Sequence, residues 1–107
     1  ENQAVLVPPI WSVEVTNALV VGERRKRIRQ PEVRQFVELL KRLSIEEDGQ
    51  PFAATMSNVL PLAREHDLSA YDAAYLDVAV RHGAPLATLD AALQRACRAM
   101  GISVFKA

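Results

Sequence analysis

Apolar residues recur along this chain in two rhythms, one helical and one extended, and their alternation lays out the fold. Both occur between Leu68 and Asp90, in LSAYDAAYLDVAVRHGAPLATLD. Tyr71, Ala74, Tyr75 and Val78 are spaced by three and four residues, which sets them on one apolar helical face. Ser69 is suited to cap that helix, and Asp72 three residues on gives the S-x-x-D form of a capping box. Gly83 supplies a left-handed stop. Pro85 then opens an extended run, Leu86–Ala87–Thr88, with Asp90 just beyond it.

The same reading extends to the rest of the chain. Val5–Leu6–Val7 is extended, whereas Glu1 fits no strand pattern. Pro8 and Pro9 can open a helix, because proline at the first helical position sacrifices no hydrogen bond. That helix is expected from about Ile10 to Val21, with Gly22 interrupting or bending it, and Glu14, Asn17, Ala18 and Val21 share one of its faces. Pro31 opens the next helix, whose Val33, Phe36, Val37, Leu40 and Leu43 form a stripe expected to face a core. Ser44–Ile45–Glu46 reads as a short strand and Asp48–Gly49 as a turn. Pro51 begins a helical segment with Phe52, Met56, Val59, Leu60 and Ala63 as its buried side, and Pro61 is expected to kink or split it. Asp90 caps a last helix, Ala91 to Met100, with Leu93, Ala96, Cys97 and Met100 turned inward. Gly101 ends it, and Ile102 to Phe105 closes the chain as a strand. Helices separating short apolar strands predict an α/β fold with a parallel sheet covered on both faces.

Composition narrows the function classes. The 107 residues suffice for one domain with a single core. Thirteen basic and thirteen acidic residues cancel, so no whole-molecule field draws the chain to a polyanion, and any electrostatic case rests on local patches. The apolar runs, Ala4–Val7 among them, are far too short to span a bilayer, and none reads as a secretory signal. A single cysteine, Cys97, cannot form an internal disulfide, which suits a reducing cytoplasm.

The chemistry lies with three acids. Taken singly, each has a structural explanation: Asp72 and Glu14 complement helix dipoles from first turns, and Asp90 is a natural N-cap. Together they sit near helix beginnings, which gather at the carboxyl edge of an α/β sheet, where sites are built. Carboxylates crowded there repel one another unless a cation neutralises them, and hard oxygen ligands suit magnesium or manganese. With no His/Cys cluster, zinc is disfavoured; His66 and His82 lie near helix ends, where they offset the dipole. Cys97 is a small core residue on an apolar face. Arg24, Arg25, Lys26, Arg27 and Arg29 form a dense basic run that reads equally as a solvated helix end or as a holder of phosphates. Trp11 and Tyr71 could stack on bases, although core packing is the simpler role for both.

Three stretches carry a family resemblance: PPIWSVEVTNAL at residues 8–19, LSAYDAAYLDVAV at 68–80 and APLATLDAAL at 84–93, running into GISVF. In order and spacing they resemble the PIN-domain ribonucleases, most closely the VapC-type toxins of bacterial toxin–antitoxin pairs. The resemblance implies that Glu14, Asp72 and Asp90 are three of the family's four metal-binding acids, with Asn17 and Thr88 as polar neighbours. Asp77 lies roughly 140° around a helix from Asp72 and is expected on the surface. Cleavage of single-stranded RNA assisted by Mg2+ or Mn2+, and inhibition by a small cognate antitoxin, are also implied.

The front of the chain departs from that pattern. The family's opening strand, central in its sheet, and the acid at its end have no counterpart before Glu14. The sequence therefore reads as residues 1–107 of a single PIN-like domain that lacks its first strand, a fragment expected to be inactive by itself. Unpaired strand edges predict self-association into a homo-oligomer. The competing expectation is a non-catalytic PIN-like module that holds RNA or a protein.

Overall fold

The computed structural model describes residues 4–105, so Glu1 lies outside the described residues. The chain divides into two compact units, residues 1–48 and 49–107.

The first unit holds strand β1 (Val5–Val7), helices α1 (Ile10–Arg24) and α2 (Gln30–Lys41), and strand β2 (Ile45–Glu47). The strands pair in parallel, with Val5 opposite Ile45 and Val7 opposite Glu47. The pairing is closed at its ends by the Val5 N–H to the Ser44 carbonyl and the Asp48 N–H to the Val7 carbonyl, each at 2.7 Å. Helix α1 starts where the proline pair predicts but runs through Gly22 to Arg24, so the glycine neither stops nor interrupts it. In α2 the apolar stripe forms but is not sealed into a core. Val33, Val37 and Leu40 are half-buried and Phe36 is exposed, while Leu43, also exposed, lies beyond the end of the helix. Periodicity fixes the direction of a stripe; it does not supply the neighbour that would cover it.

The second unit holds α3 (Phe52–His66), α4 (Ala70–His82), β3 (Leu86–Ala87), α5 (Ala91–Met100) and β4 (Val104–Phe105). Helix α4 is its centre, packed against α3, α5 and β3. Leu76, Ala79, Leu86, Leu93, Ala96 and Cys97 form the buried core. Burial of Leu93, Ala96 and Cys97, with Met100 half-buried, follows the expected inner face of α5. The buried arc of α4 differs from the expected stripe. It comprises Ala73, Leu76, Asp77, Val78 and Ala79, whereas Tyr71 is 60% exposed. A helix with neighbours on several sides buries a wider arc than one apolar face.

Helix α3 also departs from expectation. Pro61 sits inside it without splitting it, and only Val59 of the expected inner face is fully buried, leaving Phe52 80% exposed. Gly83 takes φ 60°, a conformation that a side chain would strain, and turns α4 into β3. β3 and β4 pair in parallel, Leu86 opposite Val104. The fold is therefore α/β and helix-rich, with short parallel strands in two pairs, one in each unit. No helix of the described residues is long and apolar enough to cross a membrane.

Candidate functional site

Asp72 lies in the first turn of α4. Ser69 adopts extended backbone angles and its Oγ accepts the Asp72 N–H at 3.0 Å, which is the forward half of the expected capping box. The return half is absent: among the described residues the Asp72 carboxylate has no hydrogen-bond or ion-pair partner, although the residue is half-buried. A side chain recruited only to cap would spend its oxygens on backbone amides. This one holds its charge at the positive end of a helix and leaves both oxygens open.

Asp90 is built differently. Its Oδ2 accepts the Leu93 N–H at 2.9 Å and so caps α5 as the sequence predicts. Thr88 supports the same corner from both ends. Its Oγ1 accepts the Asp90 N–H at 3.0 Å, and its carbonyl accepts the Gln94 Nε2 amide at 3.1 Å. The polar neighbour implied by the resemblance thus fixes the backbone on which Asp90 stands.

Topology relates the two acids. Helix α4 packs on β3 and turns directly into it at Gly83, where the Ala84 N–H returns to the Ala79 carbonyl at 3.0 Å. Helix and strand therefore run in opposite directions. Asp72 lies in the first turn of α4, before the Gly83 reversal, and Asp90 lies where the chain leaves β3 for α5.

Glu14 belongs to the other unit. It is exposed in the second turn of α1, not in the first, which contains no acid; the first-turn dipole argument does not apply to it. Asn17 is exposed one turn further on. Sequence reasoning missed Glu47 beside this helix. Its Oε2 accepts a 2.6 Å hydrogen bond from the Ser12 hydroxyl, two residues before Glu14. An acid at the end of a strand was the available signal, the one that singled out Asp90.

Asp77 corrects an expectation outright. It is 3% exposed, the buried charged residue of the described chain, and not a surface residue. Gln50 Nε2 and Arg81 Nε both donate to its Oδ2, at 2.8 and 2.9 Å. The side of α4 opposite Asp72 faces the start of α3 instead of solvent, and a carboxylate there must be paired.

The remaining candidates fall as follows. His66 and His82 occupy the last turns of α3 and α4. Cys97 is fully buried, and burial pushes its thiol pKa up, away from the thiolate that a nucleophile needs. Arg24, Arg25, Lys26, Arg27 and Arg29 are all exposed. The donor chemistry of Asp72 and Asp90 suits a hard divalent ion. Among the described residues, however, no three or more His, Cys, Asp or Glu side chains form a group able to hold a metal ion.

In comparison with known families, the sequence model described as PIN domain matches residues 1–99. No curated protein matches the chain closely enough to count as a relative.

Proposed function

The chain belongs to the PIN-domain family, whose members are in general nucleases and typically use divalent metal ions. From that premise we propose that it is a Mg2+- or Mn2+-dependent endoribonuclease, the VapC-type toxin of a type II toxin–antitoxin pair. RNA is the substrate, a small cognate antitoxin the inhibitor, and the cytoplasm the place of action. The half-buried carboxylate of Asp72, held at a helix start with no partner among the described residues, is the observation that carries this reading.

Asp72 and Asp90 bind the ion in this account, with Glu14 as the third acid. Thr88 positions Asp90 because its Oγ1 accepts the Asp90 N–H, and Asn17 stands one turn from Glu14. A divalent ion in such a setting activates water and stabilises the charge that develops on a phosphodiester. The homo-oligomer is part of the proposal, supported by Phe52, Met56 and Leu60, exposed along one face of α3.

Cleavage of a single-stranded RNA by the protein expressed from its native gene, with Mg2+ or Mn2+ and again with a chelator, tests the reading. Metal-dependent internal cuts are expected. The second reading, a non-catalytic PIN-like module, is favoured by the absence of three gathered ligands among the described residues, and it predicts binding without cuts under either condition.

A further inference from the structure

Arg24, Arg25, Lys26, Arg27 and Arg29 stand on a folded turn between α1 and α2, not on a loose loop. Helix α1 ends in a six-to-one and five-to-two pair of backbone bonds: Arg27 N–H to the Gly22 carbonyl at 2.8 Å and Lys26 N–H to the Glu23 carbonyl at 3.0 Å. The residue that takes the left-handed position is Lys26, at φ 58°, where glycine would be unstrained. Gly22 is needed elsewhere in the turn. A Cβ on it would meet Ile28 Cγ2 at 3.0 Å, so Ile28 lies against bare backbone and pins the chain as it leaves the turn. On the far side the Arg29 N–H donates to Glu32 Oε1 at 2.8 Å and starts α2.

Six basic and two acidic residues fall from Glu23 to Arg34, a local positive excess in a chain whose charges cancel as a whole. Among the described residues the side chains of Arg24, Arg25, Lys26 and Arg27 have no ion-pair or hydrogen-bond partner. Four adjacent unneutralised cations repel one another, and a strained left-handed lysine adds to the cost of this arrangement. Placing them on a turn whose backbone is already fixed means that an anion binding there need not order the chain. We propose that this turn is a preformed clamp for the phosphate backbone of a single nucleic-acid strand. Arginine predominates, and its planar fork matches phosphate oxygens in pairs. The turn offers no apolar anchor of the kind that carries protein interfaces, because its one large apolar side chain, Ile28, is half-buried against Gly22. The choice of ligand rests on the nuclease reading above; the anion site itself does not.

The test is fluorescence anisotropy with a labelled oligouridylate, in chelator so that nothing is cut, across a series of salt concentrations. Changing Arg24, Arg25 and Arg27 together to Gln weakens binding at least about tenfold. It also flattens the salt slope by about 2, because each phosphate neutralised on a single strand contributes about 0.7 to that slope. Gly22→Val keeps every charge but pushes Ile28 off the backbone, and it weakens binding about threefold or more with helix content retained by circular dichroism. A DNA strand of the same length binds within about threefold of RNA, since the clamp grips phosphate. Unchanged affinity in either variant overturns the proposal, and so does polyglutamate competing as well as RNA, which would assign the turn to an acidic protein. Because no metal is present, failure of the nuclease reading shows separately, as binding without later cleavage when metal is restored.

Discussion

The side-chain amide of Gln50 donates a 2.8 Å hydrogen bond to Oδ2 of Asp77, a carboxylate 3% exposed in the second unit. Arg81 Nε donates to the same oxygen at 2.9 Å, and Asn58 Nδ2 completes the chain by donating to Gln50 Oε1 at 2.8 Å. The network ties the residues leading into α3, and α3 itself, to the middle of α4. Removing the carboxylate leaves a half-buried amide and a guanidinium short of an acceptor. Asp77→Ala is therefore expected to cost about 2–4 kcal/mol of unfolding free energy in denaturant melts. Asp77→Asn, whose amide oxygen still accepts from Gln50, is expected to cost less. Equal, negligible losses in both would mean that the network does not hold α3 to α4.

That network shows where the sequence was readable and where it was not. The rotation of roughly 140° that separates Asp77 from Asp72 is right. Nothing in the spacing said that α3 would occupy the far side of α4, although an acid and an arginine at i and i+4, Asp77 and Arg81, hinted at a pair. Local signals served well wherever the cause was local: Ser69 and Asp90 cap their helices, Gly83 and Gly101 end theirs, and the strands fall within a residue or two of their expected places. Burial depends on neighbours distant in sequence, and there the pattern misled, as with Tyr71, Phe52 and the stripe on α2. The capping positions of Asp72 and Asp90, and Thr88 beside Asp90, were also legible. What the sequence could not show is that Asp90 spends an oxygen on Leu93 N–H whereas Asp72 spends none among the described residues.

Glu32 gives a pH test of the start of α2. The hydrogen bond from the Arg29 N–H outweighs desolvation and, with help from the Arg29 charge, holds its carboxyl below the usual value of 4.5. A carboxylate with a depressed folded pKa contributes stability that is present above the unfolded value and lost as pH falls through the folded one. Protection against amide exchange at the start of α2, relative to the intrinsic rate at each pH, should therefore fall as pH drops below 4.5. Glu32→Gln should show the lower protection already at neutral pH, with no such acid transition. A side-chain titration of Glu32 centred at or above 4.5 would remove the hydrogen bond from the account.

Self-association is the next expectation. Helix α3 carries no charged residue from Phe52 to Ala63, and Phe52, Met56 and Leu60 are exposed along it at four-residue steps. A second copy could cover this stripe without stripping water from any charge on it. Sedimentation at low micromolar concentration should show a species larger than one chain, and Phe52→Asp should shift the population towards monomer. A monomer that unfolds cooperatively and is indifferent to Phe52→Asp would contradict the expectation.

The most direct measurement compares Asp72→Asn with the unaltered protein, expressed from its native gene, in two assays run side by side. RNA cleavage is followed with Mg2+ or Mn2+, and stability by denaturant melt. The Asp72 carboxylate accepts no hydrogen bond among the described residues, so its amide isostere should unfold within about 0.5 kcal/mol of the original. Cleavage should fall by at least about a hundredfold, because in the proposed role the lost charge is one that binds the ion. Retained cleavage together with a clear loss of stability would contradict the account and reduce Asp72 to a helix-start residue.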